Sequence, residues 1–180
     1  ESGWQVEVDT EVNIIADVFI KHTIMKEGQK IAEGSEEVAV DVHCISTNRQ
    51  TLVVENPLLW SPDEPSLYQL ITEMRLAGTD QESESEPDCQ HEVIESISYN
   101  IGFRHIQLDP NQGFLLNGRK LKLNGVCEHH DLGALGAAFN KTALARRLVI
   151  LKDMGANAIR TAHNMPAKEL MDLADEMGML

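Results

Sequence analysis

The feature that most constrains this chain is a change of hydrophobic period part-way along it. From Val12 to Ile24 the even positions are Val12, Ile14, Ala16, Val18, Ile20, His22 and Ile24, with Asn13, Asp17, Lys21 and Thr23 between them. Alternation of this kind marks a strand with one buried face. Val38, Val40, Val42 and Cys44 repeat it with Asp41 and His43 facing out, and so do Tyr68, Leu70, Thr72, Met74 and Leu76. Shorter candidates lie at 4–8, 51–55 and 93–101. Turn signals separate the runs at Glu27-Gly28, Gly34-Ser35, Thr47-Asn48 and Pro62-Asp63-Glu64-Pro65. About seven short strands in roughly 100 residues, with no helical period, predict an antiparallel sandwich of immunoglobulin-like type.

Further along, the grammar changes. Leu121 and Leu123 lead into a short strand, Asn124-Gly125-Val126-Cys127, and Leu144, Leu148 and Leu151 then fall at i, i+4, i+7, one stripe of a helix. Gly155 is placed to end that helix. Ala156-Asn157-Ala158-Ile159 reads as a second strand, and Pro166 as a first-turn residue of a second helix with the stripe Leu170, Leu173, Ala174, Met177 and a stop at Gly178. Strand, helix, strand, helix is the pattern of a parallel sheet. Two such units cannot close a sheet, so this half is expected to be the start of something larger. The opening Glu1-Ser2-Gly3 likewise reads as the interior of a longer protein.

Charge divides the chain in the same place. The net charge is −14 over 180 residues. Residues 1–107 hold 21 acids and 6 bases, whereas residues 108–180 hold 8 acids and 9 bases. So acidic a first part repels phosphate backbones and excludes nucleic acid as its partner. No apolar run approaches the ~18 residues of a spanning helix. Cys44, Cys89 and Cys127 are too widely spaced for a disulfide framework or a zinc site, and the compartment stays open. Residues 78–90 carry Asp80, Glu82, Glu84, Glu86 and Asp88, oxygen ligands without the glycine turn or ligand order of a calcium loop. A solvated hairpin loop is the reading preferred there.

Polar residues gather where the two later strands end: Glu128-His129-His130-Asp131 after the first, Arg160-Thr161-Ala162-His163-Asn164 after the second. Parallel α/β folds bind ligands beyond the carboxyl ends of their strands, so both clusters are expected to face one site. Zinc held by His129, His130, Asp131 and His163 is the competing reading. Adjacent residues on a strand point to opposite faces, which argues against it.

These residues resemble glycoside hydrolase family 2, the β-galactosidase and β-glucuronidase family. The resemblance rests on Asn56-Pro57-Leu58-Leu59-Trp60-Ser61-Pro62 with Pro65-Ser66-Leu67-Tyr68, on Gly102-Phe103-Arg104, and on Gly113-Phe114-Leu115-Leu116-Asn117-Gly118. It continues through Gly125-Val126-Cys127-Glu128-His129-His130-Asp131 with Leu135-Gly136-Ala137-Ala138, then the run from Gly155 to Asn164, and Asp175-Glu176-Met177-Gly178. It implies a mainly β chain: an immunoglobulin-like sandwich domain over 1–107, then a truncated TIM-barrel segment over 108–180. Trp60 is expected to be buried.

The resemblance also implies roles. Arg160 matches the arginine that orients the nucleophilic carboxylate, and His129 and His163 match histidines that contact sugar hydroxyls, with Asn164 beside them. A neutral imidazole either donates to or accepts from a hydroxyl, and an arginine keeps a neighbouring carboxylate ionised. Cys127, where many members carry Asn, and Asn164-Met165-Pro166 after the signature histidine depart from the family pattern and leave the sugar open. Family members take both catalytic glutamates from later strands, and no Asn-Glu dipeptide follows the second strand here. The expectation is therefore a piece of a retaining β-glycosidase, most like a β-galactosidase, that acts on a carbohydrate substrate but has no catalytic residue of its own. No cofactor is implied for these residues, a divalent cation in the complete enzyme is left open, and so is a homo-oligomer. The alternatives are a non-catalytic sandwich module for adhesion or carbohydrate binding, and a lectin-like relative lacking the glutamates.

Overall fold

The computed structural model describes residues 3–40, 45–77 and 93–180, and it divides into two compact units. The acidic stretch 78–90, with its calcium alternative, and Asp41, Val42, His43, Cys44 and Cys89 lie outside the described residues.

The first unit comprises residues 1–57 and 68–101. It contains β1 (Trp4–Val12), β2 (Val18–Lys26), β3 (Gln29–Val38), β4 (Ser46–Val54), β5 (Tyr68–Leu76) and β6 (Val93–Ile101). One antiparallel sheet runs β3-β2-β5-β6 and the other pairs β1 with β4. The alternation read from the sequence places Val18, Ile20, His22 and Ile24 of β2 inward, and all four are buried. Val12, Val18, Ile20 and Val38 form a core cluster with Ile14, Val40 and Met74 against it. Each fully buried aliphatic side chain contributes about 1.5–3 kcal/mol.

Polar groups inside the sandwich are matched to one another. His22 Nδ1 lies 2.9 Å from Thr72 Oγ1, and its Nε2 lies 3.4 Å from Thr10 Oγ1. Gln50 Nε2 donates to the Ile20 carbonyl and to Asn48 Oδ1, and Asn48 Nδ2 donates to Glu36. Buried polar groups persist only with such partners.

Two of the expected turns are not turns. Gly34-Ser35 lies within β3 and Thr47-Asn48 within β4; β3 ends at Val38, and of the run expected over 38–44 only 38–40 are among the described residues. At Gly34 the small residue serves close packing: a Cβ there would come within 3.0 Å of Gln50 Oε1 on the facing sheet. Asn48 pairs across the ladder with Thr10 and directs its amide at Glu36 and Gln50.

The second unit comprises residues 58–67 and 102–180. A three-stranded meander, β7 (Ile106–Asp109), β8 (Gly113–Leu116) and β9 (Arg119–Lys120), precedes the parallel pair β10 (Gly125–Glu128) and β11 (Ala158–Thr161). Between the pair lies α1 (Lys141–Asp153), capped by Asn140, whose side chain accepts from the Ala143 amide. After it comes α2 (Lys168–Met177), which Gly178 ends in the left-handed conformation. Pro166 precedes the residue that caps α2 instead of opening its first turn. Leu144, Leu148, Leu170 and Leu173 form one core with Ile159 of β11 against it, so both helices cover the same face of the parallel pair. The Leu180 amide donates to the Asn157 carbonyl, and the Leu180 carbonyl accepts from Ile159, the bonding of a further parallel neighbour beside β11. Strands added in sequence order with every helix on one face are the winding of a barrel.

Residues 58–67 close the other end of this unit. Trp60 is 2% exposed, its indole N–H donates to the Asp175 carbonyl at 2.8 Å, and the Arg104 guanidinium lies 5.0 Å from its ring. Its burial, expected from the sequence, is thus achieved against the end of α2.

Candidate active site

Alternation along β10 and β11 sorts the site residues onto two faces. Val126 pairs in register with Ile159, which packs on the helices. The next pair, Cys127 and Arg160, turns the other way and is exposed. There the Arg160 guanidinium donates to Cys127 Sγ at 3.5 Å. Glu128 returns to the helix side, where its carboxylate pairs with Arg147 of α1.

Each strand then exits through a three-residue turn. After β10 the Asp131 amide donates to the His129 carbonyl at 2.8 Å, and after β11 the Asn164 amide donates to the Ala162 carbonyl at 2.9 Å. The second turn places His163 at φ +68°, a conformation that costs a non-glycine residue energy and that clusters at functional sites. The two exits bring the His129 and His163 rings to 5.4 Å between centroids, inclined by 55°. One ring from each strand exit thus meets the other.

The other sequence candidates are placed differently. His129, His130 and Asn164 border a concave groove with Glu128, Asp131, Arg147 and Phe139, floored by Leu144 and Leu170, whereas Arg160 and His163 do not line it. No group of three or more His, Cys, Asp or Glu is gathered for a metal ion among the described residues. The sequence places Glu128 in the polar cluster after the first strand but does not pair it with Arg147, although it carries a signal for that pairing. A carboxylate on the helix-facing side of a strand requires a partner, and Arg147 stands between two leucines of the buried stripe.

Chemically, the exposed face offers a fixed cation, a thiol, and two imidazoles whose ring nitrogens exchange hydrogen bonds with hydroxyls. The described strand-exit carboxylates do not join that face. Glu128 is held by Arg147, and Asp131 accepts from the Gly133 amide at 3.3 Å.

Comparison with known proteins settles the lineage. The profile described as "Glycosyl hydrolases family 2" matches residues 2–104, and "Glycosyl hydrolases family 2, TIM barrel domain" matches residues 107–180. The chain belongs to glycosyl hydrolase family 2. It is 40% identical over 176 residues to a beta-galactosidase of Bacteroides ovatus, covering 97% of this chain and 19% of that protein. It is 38% identical over 153 residues to a putative beta-glucuronidase of Formosa agariphila, covering 85% of this chain and 13% of the relative. Among solved structures, a family-2 member from Bacteroides cellulosilyticus superposes with a TM-score of 0.85 at 31% identity, over 98% of this chain and 23% of that one. The chain thus spans about a fifth or less of the length of these two curated relatives. With the family, the architecture is an immunoglobulin-like sandwich followed by part of a TIM barrel.

Proposed function

We propose that the protein containing these residues is a retaining β-glycosidase that removes terminal β-linked sugars, with a β-galactoside as its substrate. In this reading residues 1–107 are its sandwich domain and residues 108–180 begin its catalytic barrel. The observation that carries it is the shared face at the carboxyl ends of β10 and β11, where Arg160 stands beside Cys127 and the His129 and His163 rings converge. Barrel enzymes build their sites at that end of the sheet. The galactoside preference is supported by the 40% identity to a beta-galactosidase.

Retention requires two carboxyl groups roughly 5–5.5 Å apart, one acting as acid and base and one as nucleophile. Glu128 is paired on the helix side and Asp131 caps its own loop, so the reading assigns both roles to residues outside this chain. Arg160 then holds the nucleophile ionised by proximity of opposite charge. His129 and His163 take hydroxyls of the sugar in the first subsite, and Asn164 is assigned to the substrate from the groove that it borders with His129.

The test is a panel of nitrophenyl β-galactoside, β-glucoside and β-glucuronide with the full-length protein and its Arg160→Ala variant. Galactoside turnover that falls about 10²–10³-fold in the variant is expected, by analogy with removal of one preorganised electrostatic contact. Full activity in Arg160→Ala would defeat the assignment of that residue, and a glucuronide preference would defeat the substrate. Turnover by a purified 180-residue chain would show that its own carboxylates suffice.

A further inference from the structure

We propose that Arg147 is a positioning residue for this site, holding the His129-bearing turn from the helix side; the proposal rests on the functional reading given above. Arg147 lies on α1 between the buried Leu144 and Leu148. One arm of its guanidinium pairs with the Glu128 carboxylate. The other donates to the Asp131 carbonyl and lies 3.8 Å from Asp131 Oδ1. Glu128 and Asp131 are the residues on either side of His129-His130, so one planar cation grips the turn at both ends.

Other restraints act on that turn as well. The Ala162 amide donates to the Glu128 carbonyl at 3.0 Å and fixes the strand end. Beyond it stand the bond from the Asp131 amide to the His129 carbonyl and the contact of Gly133 with the Asp131 carboxylate. Both are internal to the loop and move with it. Leu132, next along the chain, packs against the leucine core of the helices, and Arg147 is the polar contact that ties both ends of the turn to α1. The bridge depends on a guanidinium, whose rigid fork presents donors in two directions, whereas a lysine ammonium on a flexible stem serves one partner at a time. The Glu128 side chain is only 11% exposed. Leaving it without its cation is costly, so the pair is held closed. His129 in turn sits against His163, and a shift of the turn separates the two rings that the functional reading places on the sugar.

The experiment uses the full-length protein with Arg147→Ala, Arg147→Lys and Glu128→Gln, read in two ways. Hydrogen exchange over residues 129–133 is expected to accelerate in all three variants while amides of α1 keep wild-type protection. On the nitrophenyl β-galactoside, kcat/KM is expected to fall about 10–100-fold, the scale of an error of about 1 Å in positioning. KM should rise, whereas partial unfolding lowers apparent kcat and leaves KM alone. Arg147→Lys keeps the charge beside Glu128 and serves as the folded case should Arg147→Ala not fold. Wild-type exchange and wild-type KM in Arg147→Lys overturn the proposal. Accelerated exchange in a protein whose wild type cleaves none of the glycosides overturns the functional reading and leaves the positioning role standing.

Discussion

Replacing Trp60 tests how the barrel segment is held together, because this one side chain completes the end of a helix. The last carbonyls of α2 have no partner within the helix. Ala174 receives the Gly178 and Met179 amides, Met177 receives Lys152 Nζ, and Asp175 receives the Trp60 indole N–H at 2.8 Å. Trp60 is further fixed by its own amide, 2.7 Å from the Phe103 carbonyl, and by its carbonyl, which accepts from Asn117 Nδ2 at 3.0 Å. Trp60→Phe removes the indole donor and strands a part-buried acceptor, at up to about 1–3 kcal/mol. Trp60→Ala also empties the ring's volume, at about 3–5 kcal/mol. A domain has only about 5–15 kcal/mol in hand, so the larger deletion consumes a large part of it.

Among the described residues both α-helices lie in the second unit. Far-UV dichroism at the helical minimum therefore reports that unit during urea unfolding. With a slope of about 1–3 kcal/mol per molar urea, Trp60→Phe should lower the midpoint by about 1 M. Trp60→Ala should lower it further. Midpoints of both variants within about 0.3 M of wild type would refute the reasoning, since the indole bond and the filled volume would then contribute almost nothing.

Burial holds the His22 imidazole below its ordinary value of 6.5, with Glu36 opposing. The neutral form is therefore favoured in the fold, and stability present above pH 6.5 is lost as pH falls below it, by at most about 1.4 kcal/mol per pH unit. Thermal unfolding between pH 7 and 5 should show this, and His22→Gln should flatten the slope. Burial raises the Asp175 carboxyl above its ordinary value, with Arg104 opposing. Its contribution is present below pH 3.8 and lost as pH rises through the raised value, so Asp175→Asn should stabilise the protein at pH 7 and cease to do so near pH 3. A less stable variant at pH 7 would mean that the attraction to Arg104 outweighs burial. In the 180-residue chain, amides of β2, bonded on both edges, should exchange more slowly than those of α1 and α2. Equal protection would contradict that order.

The strands were legible where one face meets the core and the other meets water. Val18, Ile20, His22 and Ile24 alternate with polar residues because β2 is central to its sheet and covered on one side. β3 was not legible, because its residues are mostly exposed and its one glycine resembles a turn. Only the facing Gln50 explains Gly34, and Gln50 is 16 residues further along the chain. The helices showed through their leucine stripes, but a period cannot tell a first-turn proline from one that precedes the cap, as Pro166 does.

The site was legible by the same logic, up to a point. The charged and polar residues after each strand marked the carboxyl ends of a parallel pair, and the fold brings His129 to His163 and Arg160 to Cys127. What adjacency in sequence concealed is how differently these neighbours are partnered. Glu128 and His129 both border the groove, but the Glu128 carboxylate is taken up by Arg147, 19 positions away, whereas the His129 ring meets His163. A motif read as a string treats the two as one cluster. Their partners, one on a helix and one on the turn after the other strand, set them apart.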